Sequence, residues 1–558
     1  MKRSSFIIRK YGVVFILTAL LAILGVLCLK TANNYIDRPF AILLRTGKDN
    51  QFIELYEDET ENHFYMFLPS YASSQNTRIR ILTTYPVYLD DIQLKEGMRL
   101  DVFETDYDYI LKVNDNFIGT LTFMHSSNIP AVFIETSRKD LPFLMEDKNN
   151  IDEGTVSFIW PDGEIDYAGD LDVISGRGNQ SWALPKRGWS IRLPEEKDLL
   201  NMRSSTRWNL IANVCDDTNG LRNKAAHYLA EQLGMEFTAR QQFVDLYIDS
   251  LYYGTYQLTE EIEQKKDKLD IGDLDHENYL ANGFILDTDL LERQTEYYDD
   301  LPIRSYSTGV KSPEDISGGY IIERNSGFKL KEKEHLFTTN RNETFIVRYP
   351  SVVNEEELDY INNTVQIVED ELFAENDDDL WNLADIDSFV KKFLIDELSK
   401  NEGEGVTSSY YYKKQGQDIL YAGPVWDFDK SFGNCGVWKD PNGLALGKLY
   451  SASITYWYER VYANSEANAL IKQLYTKTVK PGCKELMENL IDDWAEEISE
   501  SRAMNEARWK YVENENPAFY DGLDIDYHHD IKESVQYLKT WINDRLTYLD
   551  GIWTEGEN

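Results

Sequence analysis

The hydrophobic pattern of this chain changes at about residue 128, and that change constrains the fold more than any other feature. Before it, from Ala41 to about Phe123, runs such as "TRIRILTTY" and "YDYILKVNDNFIGTLTF" alternate with period two and predict short β-strands. From "NIPAVFIETS" onward, strand-like runs alternate with clear helical patterns. We therefore predict an α+β chain, with a small β-sandwich-like accessory domain at 36–125 and a larger α+β domain at 126–555.

The net charge of the chain limits its partners. It has 97 acidic and 57 basic residues, a formal net charge of -40. Such a surface repels nucleic-acid phosphates and anionic lipid, so we expect no nucleic-acid partner. The acidity has two interpretations, a solvated surface that keeps the protein soluble or an acidic binding face, and the first is the simpler.

The first thirty residues have the pattern of a membrane anchor. A basic flank, "MKRSSFIIRK", precedes residues 12–29, which contain no charge and are just long enough to span a bilayer. The positive flank predicts that residues 1–11 are cytoplasmic and that everything after Lys30 is outside. No A-x-A-like cleavage site follows the apolar run. We therefore predict an uncleaved signal-anchor and a single-pass cell-membrane protein whose large domain is extracellular.

Several secondary-structure elements after residue 128 have clear local signals. "TNGLRNKAAHYLAEQLG" predicts a helix with Asn219 as N-cap and Gly234 as its stop. "FVDLYIDSLYYGTYQLT" predicts a hairpin. "DIDSFVKKFLIDELSKN" predicts a helix that ends around Asn401, with strands in "SSYYYKK" and "ILYAGPVWDFD" after it. A last helix is predicted by an apolar stripe near the C-terminus, at Ile531, Val535, Leu538, Ile542 and Leu549.

A glycine-rich turn followed by basic residues is the first candidate site. "SGRGNQSW" and "PKRGWSIRL" contain Gly178, Asn179, Lys186 and Arg192. Glycines let backbone N–H groups approach an anion, and a cation on the next strand neutralises its charge. The pattern therefore suggests a phosphate-binding turn, although a glycine-rich β-turn with solvated basic residues has the same appearance.

Two further acidic stretches have a functional and a structural interpretation. Asp216 and Asp217, in "IANVCDDTNGLRN", lie where they could serve a phosphate-handling site or cap the helix that follows. Glu260 and Glu261, in "YQLTEEIE", end a strand and could orient a lysine. Paired glutamates at an exposed turn explain the second stretch equally well.

The stretch "AGPVWDFDKSFGN" carries the strongest candidate for a metal site. Asp427 and Asp429 are separated by one aromatic residue, and Asn401 ends the preceding helix. Mg²⁺ prefers oxygen ligands and is usually held by one or two carboxylates, while phosphates and water complete its shell. On an extended strand the two carboxylates would point the same way, and around a tight bend both could reach one ion. The alternative is that both are ordinary turn residues.

Taken together, these motifs resemble the spore coat protein H (CotH) kinase family. The similarity runs from about Ile129 to Trp553, with "GRGNQSW", "PKRGWSIRL", "WNLIANVCDDTNGLRN", "VDLYIDSLYYGTYQLTEEIE", "GGYIIE", "ELSKN", "TSSYYYKK" and "AGPVWDFDKSFGN" in family order. The resemblance implies an atypical protein-kinase-like fold that uses ATP and Mg²⁺ or Mn²⁺ to phosphorylate Ser or Thr of a protein substrate. With the anchor, it implies a partner at the cell surface.

The resemblance also assigns roles to residues. Asp427 matches the metal-binding aspartate, and Asn401 lies in the catalytic loop. Beside them, we predict that Asp429 contributes to the ion's shell or orients its neighbours. Lys186 and Arg192 become the cations that bind phosphate. Glu260 or Glu261 becomes the acid that positions one of these two cations. These roles agree with phosphoryl transfer, which depends mainly on positioning and charge neutralisation.

One departure from the family pattern divides the functional hypotheses. Many members read N-x-D after the "ELSK" helix, whereas this chain reads "NEGEG", so Gly403 takes the place of the catalytic aspartate. Glu402 and Glu404 flank it and are the candidate replacements. A carboxylate displaced by about 1 Å can cost on the order of 100-fold in rate. The chain is therefore either a kinase with an unusual catalytic loop or a pseudokinase or surface scaffold that binds proteins or glycans.

Overall fold

The computed structural model describes most of the chain after residue 39. The described residues are 40–47, 50–58, 61–178, 181–283, 291–325, 334–375, 379–401, 403, 407–434, 449, 451, 456–509 and 530–554. The predicted cytoplasmic segment 1–11, the predicted anchor 12–29 and three candidate site residues, Asn179, Glu402 and Glu404, lie outside them. No helix within the described ranges is both long and apolar enough to cross a bilayer.

The N-terminal region consists of two β-sheets, as its alternating pattern predicts. One sheet has the strand order β2-β1-β5 and the other the order β3-β4-β9-β8-β6-β7. The strands are Ile42–Thr46 (β1), Gln51–Glu54 (β2), Tyr56–Asp58 (β3), His63–Leu68 (β4), Arg78–Ile81 (β5), Val87–Leu89 (β6), Ile92–Gln93 (β7), Asp108–Val113 (β8) and Asn116–His125 (β9). Both sheets contribute to one apolar core.

Next along the chain, seven strands form a closed barrel in the order β10-β11-β12-β13-β14-β16-β15. The strands are Ala131–Thr136 (β10), Ile151–Ile159 (β11), Ile165–Arg177 (β12), Gly188–Lys197 (β13), Ser205–Ile211 (β14), Gln241–Ile248 (β15) and Leu251–Glu260 (β16). β15 and β16 pair antiparallel, which confirms the predicted hairpin. The core of the N-terminal sheets continues into the barrel, because the rings of Phe67 and Tyr252 lie 4.7 Å apart.

A second seven-stranded sheet follows, with the order β17-β18-β20-β21-β19-β22-β23. Its strands are Arg293–Tyr298 (β17), Leu301–Ser307 (β18), Tyr320–Arg324 (β19), Leu336–Thr338 (β20), Thr344–Tyr349 (β21), Ser409–Lys413 (β22) and Leu420–Ala422 (β23). β19 lies between β21 and β22, so strands distant in sequence become neighbours. This order brings chain segments around residues 323, 348 and 408 together.

The helices form the largest apolar core together with this sheet, except that Leu141–Glu146 packs on the barrel and Ser499–Arg508 packs against β16 and β9. They are Leu141–Glu146 (α1), Leu221–Gln232 (α2), Leu274–Ala281 (α3), Glu355–Leu372 (α4), Leu380–Leu383 (α5), Ile386–Ser399 (α6), Tyr456–Ala463 (α7), Ser465–Leu474 (α8), Lys480–Glu485 (α9), Ile491–Glu497 (α10), Ser499–Arg508 (α11) and Ile531–Trp553 (α12). Leu538, Ile542 and Leu549 are fully buried, so the predicted C-terminal stripe is a core face.

The two helices next to the candidate site begin and end largely as the sequence predicts. Asp385 caps α6, accepting from the backbone N–H of Ser388 at 2.8 Å, and Lys400 ends it in a left-handed conformation. The predicted N-cap of α2 is wrong by one residue. Gly220 occupies that position with φ 106°, a conformation that glycine adopts without the penalty that a side chain incurs.

Candidate active site

A cleft of about 360 Å³ lies between the barrel and the second seven-stranded sheet. Its barrel wall comes from the ends of β12, β13 and β14, and its sheet wall comes from β19, β21, the start of β22 and the turn after β23. The charged lining residues are Lys148, Arg177, Glu323, Glu334, Arg348, Asp427, Asp429 and Lys430. The cleft therefore contains both cations and carboxylates in one polar cavity.

The barrel wall is shaped by the predicted glycine-rich turn. Gly178 has φ 98°, and a Cβ there would lie 2.1 Å from Ser181 Oγ, so only glycine fits. Lys148 Nζ donates to the Gly178 carbonyl at 2.9 Å and holds the turn. The guanidinium of Arg177 lies 5.8 Å from the centre of the Trp426 ring. Arg177 thus reaches across the cleft to the residue immediately before Asp427.

The sheet wall is built from ion pairs. Glu323, which is only 4% exposed, accepts from Arg348 at 2.6 Å. The same guanidinium donates to Glu334 at 3.1 Å. Glu323 also accepts from Thr407 Oγ1 and from the backbone N–H of Ser408, each at 2.9 Å. This wall is therefore a connected network that joins side chains of β19 and β21 to the segment just before β22.

Asp427 and Asp429 both line the cleft, but not on a strand. β23 ends at Ala422, and the extended strand considered for "ILYAGPVWDFD" does not reach the carboxylates. Asp427 is exposed, has φ 69° and accepts from Ser408 Oγ at 3.1 Å. The chain therefore bends at Asp427 and does not continue as a strand.

The electrostatics of the two aspartates suit a cation. Desolvation and the neighbouring charge of Asp427 raise the pKa of Asp429 to about 7. Burial is the larger cause of this shift, and the repulsion from Asp427 is the second. A divalent ion would relieve that repulsion.

Two of the sequence motifs are joined directly behind the aspartates. Asn223 Oδ1, on α2, accepts from the backbone N–H of Phe428 at 2.7 Å. Asn434 Nδ2 donates to the Cys215 carbonyl and to the Asp429 carbonyl, each at 2.6 Å. These bonds fix the backbone on both sides of Asp429. The stretches "NVCDDTNGLRN" and "WDFDKSFGN" therefore form one structural unit.

The acidic pair at the start of α2 supports that unit from within. Asp216 and Asp217 both bind the guanidinium of Arg222, and all three side chains are buried. Asp216 also accepts from the backbone N–H groups of Thr218 and Gly220, at 2.9 and 3.0 Å. Both carboxylates are therefore engaged at the turn before α2 and at its first residues. This arrangement is close to the helix-capping interpretation of these two residues.

Lys186 lies behind the barrel wall rather than on it. It is 2% exposed, and its Nζ donates to the Ala212 carbonyl at 2.8 Å and to the Thr255 carbonyl at 2.6 Å. Burial lowers its pKa to about 7. Since Ala212 lines the cleft, Lys186 supports the wall through that carbonyl, and its amine borders a small neighbouring cavity with Asp216 and Glu506.

The other predicted phosphate ligands are placed apart from the cleft lining. Arg192 is half-exposed on β13 and lies 4.0 Å from Asp172. Glu260 is fully buried and pairs with Arg203 at 2.6 Å, so the pairing expected with Lys186 or Arg192 is replaced by a different one. The reason is topological: Glu260 ends β16 beside Trp208 of β14, whose start adjoins Arg203.

The loop after α6 brings Gly403 into the cleft. Asn401, which is 3% exposed, donates to Asp396 at 3.1 Å and accepts from the backbone N–H of Gly403 at 3.1 Å. Asn401 is not among the residues that line the cleft, whereas Gly403 is. A Cβ on Gly403 would lie 3.4 Å from Asn401 Oδ1 and 4.0 Å from the Asp427 carbonyl, so a side chain fits there.

Sequence reasoning missed several cleft residues. Lys148 follows α1 in a polar turn with no local signal. Glu323, Arg348 and Ser408 lie on three different chain segments, and no spacing rule connects them. A clue was available for Glu323, because a carboxylate in the otherwise apolar strand "YIIER" is uncommon unless it has a partner.

The donor set fits a magnesium–nucleotide ligand. Among the described residues, no group of three or more His, Cys, Asp or Glu side chains could hold a metal on its own. Two carboxylates at a bend, in a polar cleft with cations opposite, are nevertheless the usual protein share of a Mg²⁺ shell that phosphates and water complete. Asp427 and Asp429 would hold the ion, and Lys148, Arg177 and the Gly178 turn would face the phosphates.

The barrel, the sheet and this cleft define a mixed α+β protein whose polar cleft contains both basic and acidic side chains. A family model described as CotH kinase protein matches residues 174–549, about two thirds of the chain. The chain therefore belongs to the CotH kinase protein family. A search of the curated proteins finds no relative that matches the chain.

Proposed function

We propose that this protein is an atypical, kinase-like phosphotransferase that uses Mg²⁺–ATP or Mn²⁺–ATP to phosphorylate Ser or Thr in surface or secreted proteins. The observation that carries the proposal is the cleft in which Arg177 and the Gly178 turn face Asp427 and Asp429. Cations and carboxylates in one cleft match the two needs of phosphoryl transfer, neutralisation of phosphate charge and metal binding. Family membership supports the same chemistry.

The roles of the chain's own residues follow from this arrangement. Arg177 and Lys148 bind and orient phosphate oxygens, and Lys186 holds the wall behind them through the Ala212 carbonyl. Asp427 and Asp429 bind the metal, and Asn401 holds the loop that carries Gly403. When bound, Mg²⁺–ATP supplies the phosphoryl group that is transferred.

The transfer itself needs one proton acceptor. A bond forms between the substrate hydroxyl oxygen and the γ-phosphorus, the bond to the bridging oxygen of ADP breaks, and the hydroxyl proton is released to a base. The family pattern expects an aspartate where this chain has Gly403. Glu402 and Glu404, the adjacent carboxylates, are the proposed replacements.

A second candidate function is a pseudokinase or cell-surface scaffold. The observation that favours it is Gly403, which lines the cleft without a side chain. Such a protein would retain nucleotide or metal binding, or the fold alone, and use its surface to hold a partner protein. Catalytic transfer would then be weak or absent.

The proposed location is the outer face of the cell membrane, anchored by residues 12–29. The apolar run and its basic flank support it. Protease treatment of intact cells should degrade everything beyond about residue 30. Survival of the large domain under conditions that digest a known surface protein would contradict this location.

The function itself is tested with the fragment from Asn33 onward. Incubation with labelled ATP and Mg²⁺ or Mn²⁺, with candidate surface proteins present, should give labelled Ser or Thr. In parallel, ATP with Mg²⁺ should raise the melting temperature, because a ligand that binds only the folded state stabilises it. A melting shift without labelling favours the pseudokinase. The absence of both the melting shift and the labelling would reject nucleotide binding altogether.

A further inference from the structure

Two residues that meet in the cleft have left-handed backbones. Ser408 has φ 62° and Asp427 has φ 69°, and the hydroxyl of Ser408 donates to Asp427 Oδ2. Residues other than glycine adopt this region rarely, and serine adopts it less often than aspartate. Such residues persist only where surrounding contacts hold them, and they are concentrated at functional sites.

The contacts that hold Ser408 come from Glu323. One carboxylate oxygen of Glu323 accepts from the Ser408 N–H and from the Thr407 hydroxyl, each at 2.9 Å. The other oxygen binds Arg348 at 2.6 Å. Both carboxylate oxygens of this buried glutamate are therefore engaged with protein groups.

These contacts form a continuous path to the proposed metal ligand. It runs from Arg348 on β21 to Glu323 on β19, then to Ser408 at the start of β22, and ends on Asp427. The path exists because β19 lies between β21 and β22 in the sheet. A metal-binding carboxylate is commonly oriented by a hydrogen bond to its other oxygen, and loss of that bond costs about 10–100-fold in metal affinity.

We propose that Glu323 and Ser408 are positioning residues that orient the Asp427 carboxylate for metal binding. The inference rests on the proposed function, because it presumes that Asp427 binds the metal. Glu323 fixes the Thr407–Ser408 turn in its left-handed form, and the Ser408 hydroxyl then holds one oxygen of Asp427 so that the other faces the cleft. Arg348 pairs with Glu323 and holds it in place.

The first test is Ser408→Gly with Mn²⁺ as the probe. Glycine adopts positive φ without strain, so the fold is kept or stabilised while the hydroxyl is removed. We expect Mn²⁺ to bind about tenfold more weakly, measured by electron paramagnetic resonance with and without ATP, and the melting temperature to be unchanged or higher. Ser408→Asn tolerates the same φ and keeps a donor, so it should recover part of the affinity.

The second test compares two ion pairs of equal length in the same sheet. Glu323→Gln weakens the pair with Arg348, and Glu343→Gln weakens the pair between Glu343 and Arg324, also 2.6 Å, which does not line the cleft. Glu323→Gln should lower Mn²⁺ affinity several-fold, and Glu343→Gln should not change it. The melting temperatures of both variants report any general loss of stability.

The outcomes separate the inference from the proposed function. Wild-type Mn²⁺ affinity in Ser408→Gly would overturn the positioning role while metal-dependent ATP binding by the wild type remains intact. Equal losses in Glu323→Gln and Glu343→Gln would also overturn it, because the effect would then be one of sheet stability. If the wild type binds neither Mn²⁺ nor ATP, the proposed function fails and the positioning role fails with it.

Discussion

The two walls of the cleft are built in different ways. On the barrel side, cationic side chains are held by backbone carbonyls: Lys148, on the wall, binds the Gly178 carbonyl, and Lys186, behind the wall, binds the Ala212 and Thr255 carbonyls. On the sheet wall, side chains hold one another through the Glu323 network, which ends on Asp427.

The difference predicts different responses to substitution. Backbone carbonyls keep their positions when one side chain is removed, so a change on the barrel wall should alter one interaction and leave the rest of the site intact. Members of a side-chain network depend on each other, so a change on the sheet wall should propagate to the metal ligand. The barrel wall would then set phosphate affinity, and the sheet wall would set metal dependence.

The largest expected effect comes from Asp427→Asn. If Asp427 binds the metal as proposed, removing its charge should abolish Mg²⁺-dependent ATP binding, whereas a turn aspartate would cost only about 1 kcal/mol of stability. Calorimetry with and without Mg²⁺ measures the difference. Asp418→Asn, an exposed aspartate outside the cleft lining, is the matched control. Unchanged Mg²⁺ dependence of ATP binding would mean that the "WDFD" carboxylates have a structural role, and it would favour the scaffold function over the kinase.

The next largest effect is a gain of activity in Gly403→Asp. The site has room for the side chain, and a correctly placed general base contributes about 100-fold or more to rate. We expect faster phosphotransfer to a protein substrate at unchanged ATP affinity, measured with labelled ATP. Gly551→Asp on α12, where an added Cβ meets no atom within 4 Å, controls for the added charge. No gain in Gly403→Asp would leave Glu402 or Glu404 as the base, or favour the pseudokinase.

A smaller effect is expected from Arg177→Gln on the barrel wall. Loss of one charged hydrogen bond to phosphate should weaken ATP binding about tenfold and leave its Mg²⁺ dependence intact. Arg192→Gln is the comparison, because the sequence alone assigns Arg192 to phosphate and the structure places it off the cleft lining. Calorimetry of ATP binding to both variants shows which of the two arginines binds phosphate. A larger loss in Arg192→Gln would restore the sequence-based assignment.

The last expected effect is on stability rather than on binding, a change in the pH dependence of unfolding in Lys186→Met. The folded pKa of Lys186 is lowered from 10.5 to about 7, so between these values the unfolded state binds more protons. Unfolding free energy should therefore rise with pH across this window, by up to about 1.4 kcal/mol per unit from this group.

Denaturant titrations between pH 7 and 9 measure that slope. Lys186→Met should have a shallower slope than the wild type, whereas Lys197→Met, at a more exposed lysine of β13, should keep the wild-type slope. Equal slopes in Lys186→Met and the wild type would show that the lysine stays protonated behind the barrel wall.

Elements with local signals were predictable from sequence. The hairpin of β15 and β16, helix α6 and the apolar face of α12 all follow from periodicity that involves residues only a few positions apart. Helix α2 was placed correctly, except that Gly220 rather than Asn219 is its N-cap. Asp427 and Asp429 were found as a pair because their spacing is itself a local signal.

The sequence by itself determined which motifs exist, and the tertiary structure decided which of them meet. Lys186 and Glu260 carry the right chemistry for a phosphate site, but the barrel buries one behind its wall and pairs the other with Arg203. Glu323 and Ser408 gave no functional signal because they are 85 residues apart. They become neighbours only through the strand order of the sheet, a non-local arrangement fixed by burial of its apolar faces and invisible to any pattern within one segment.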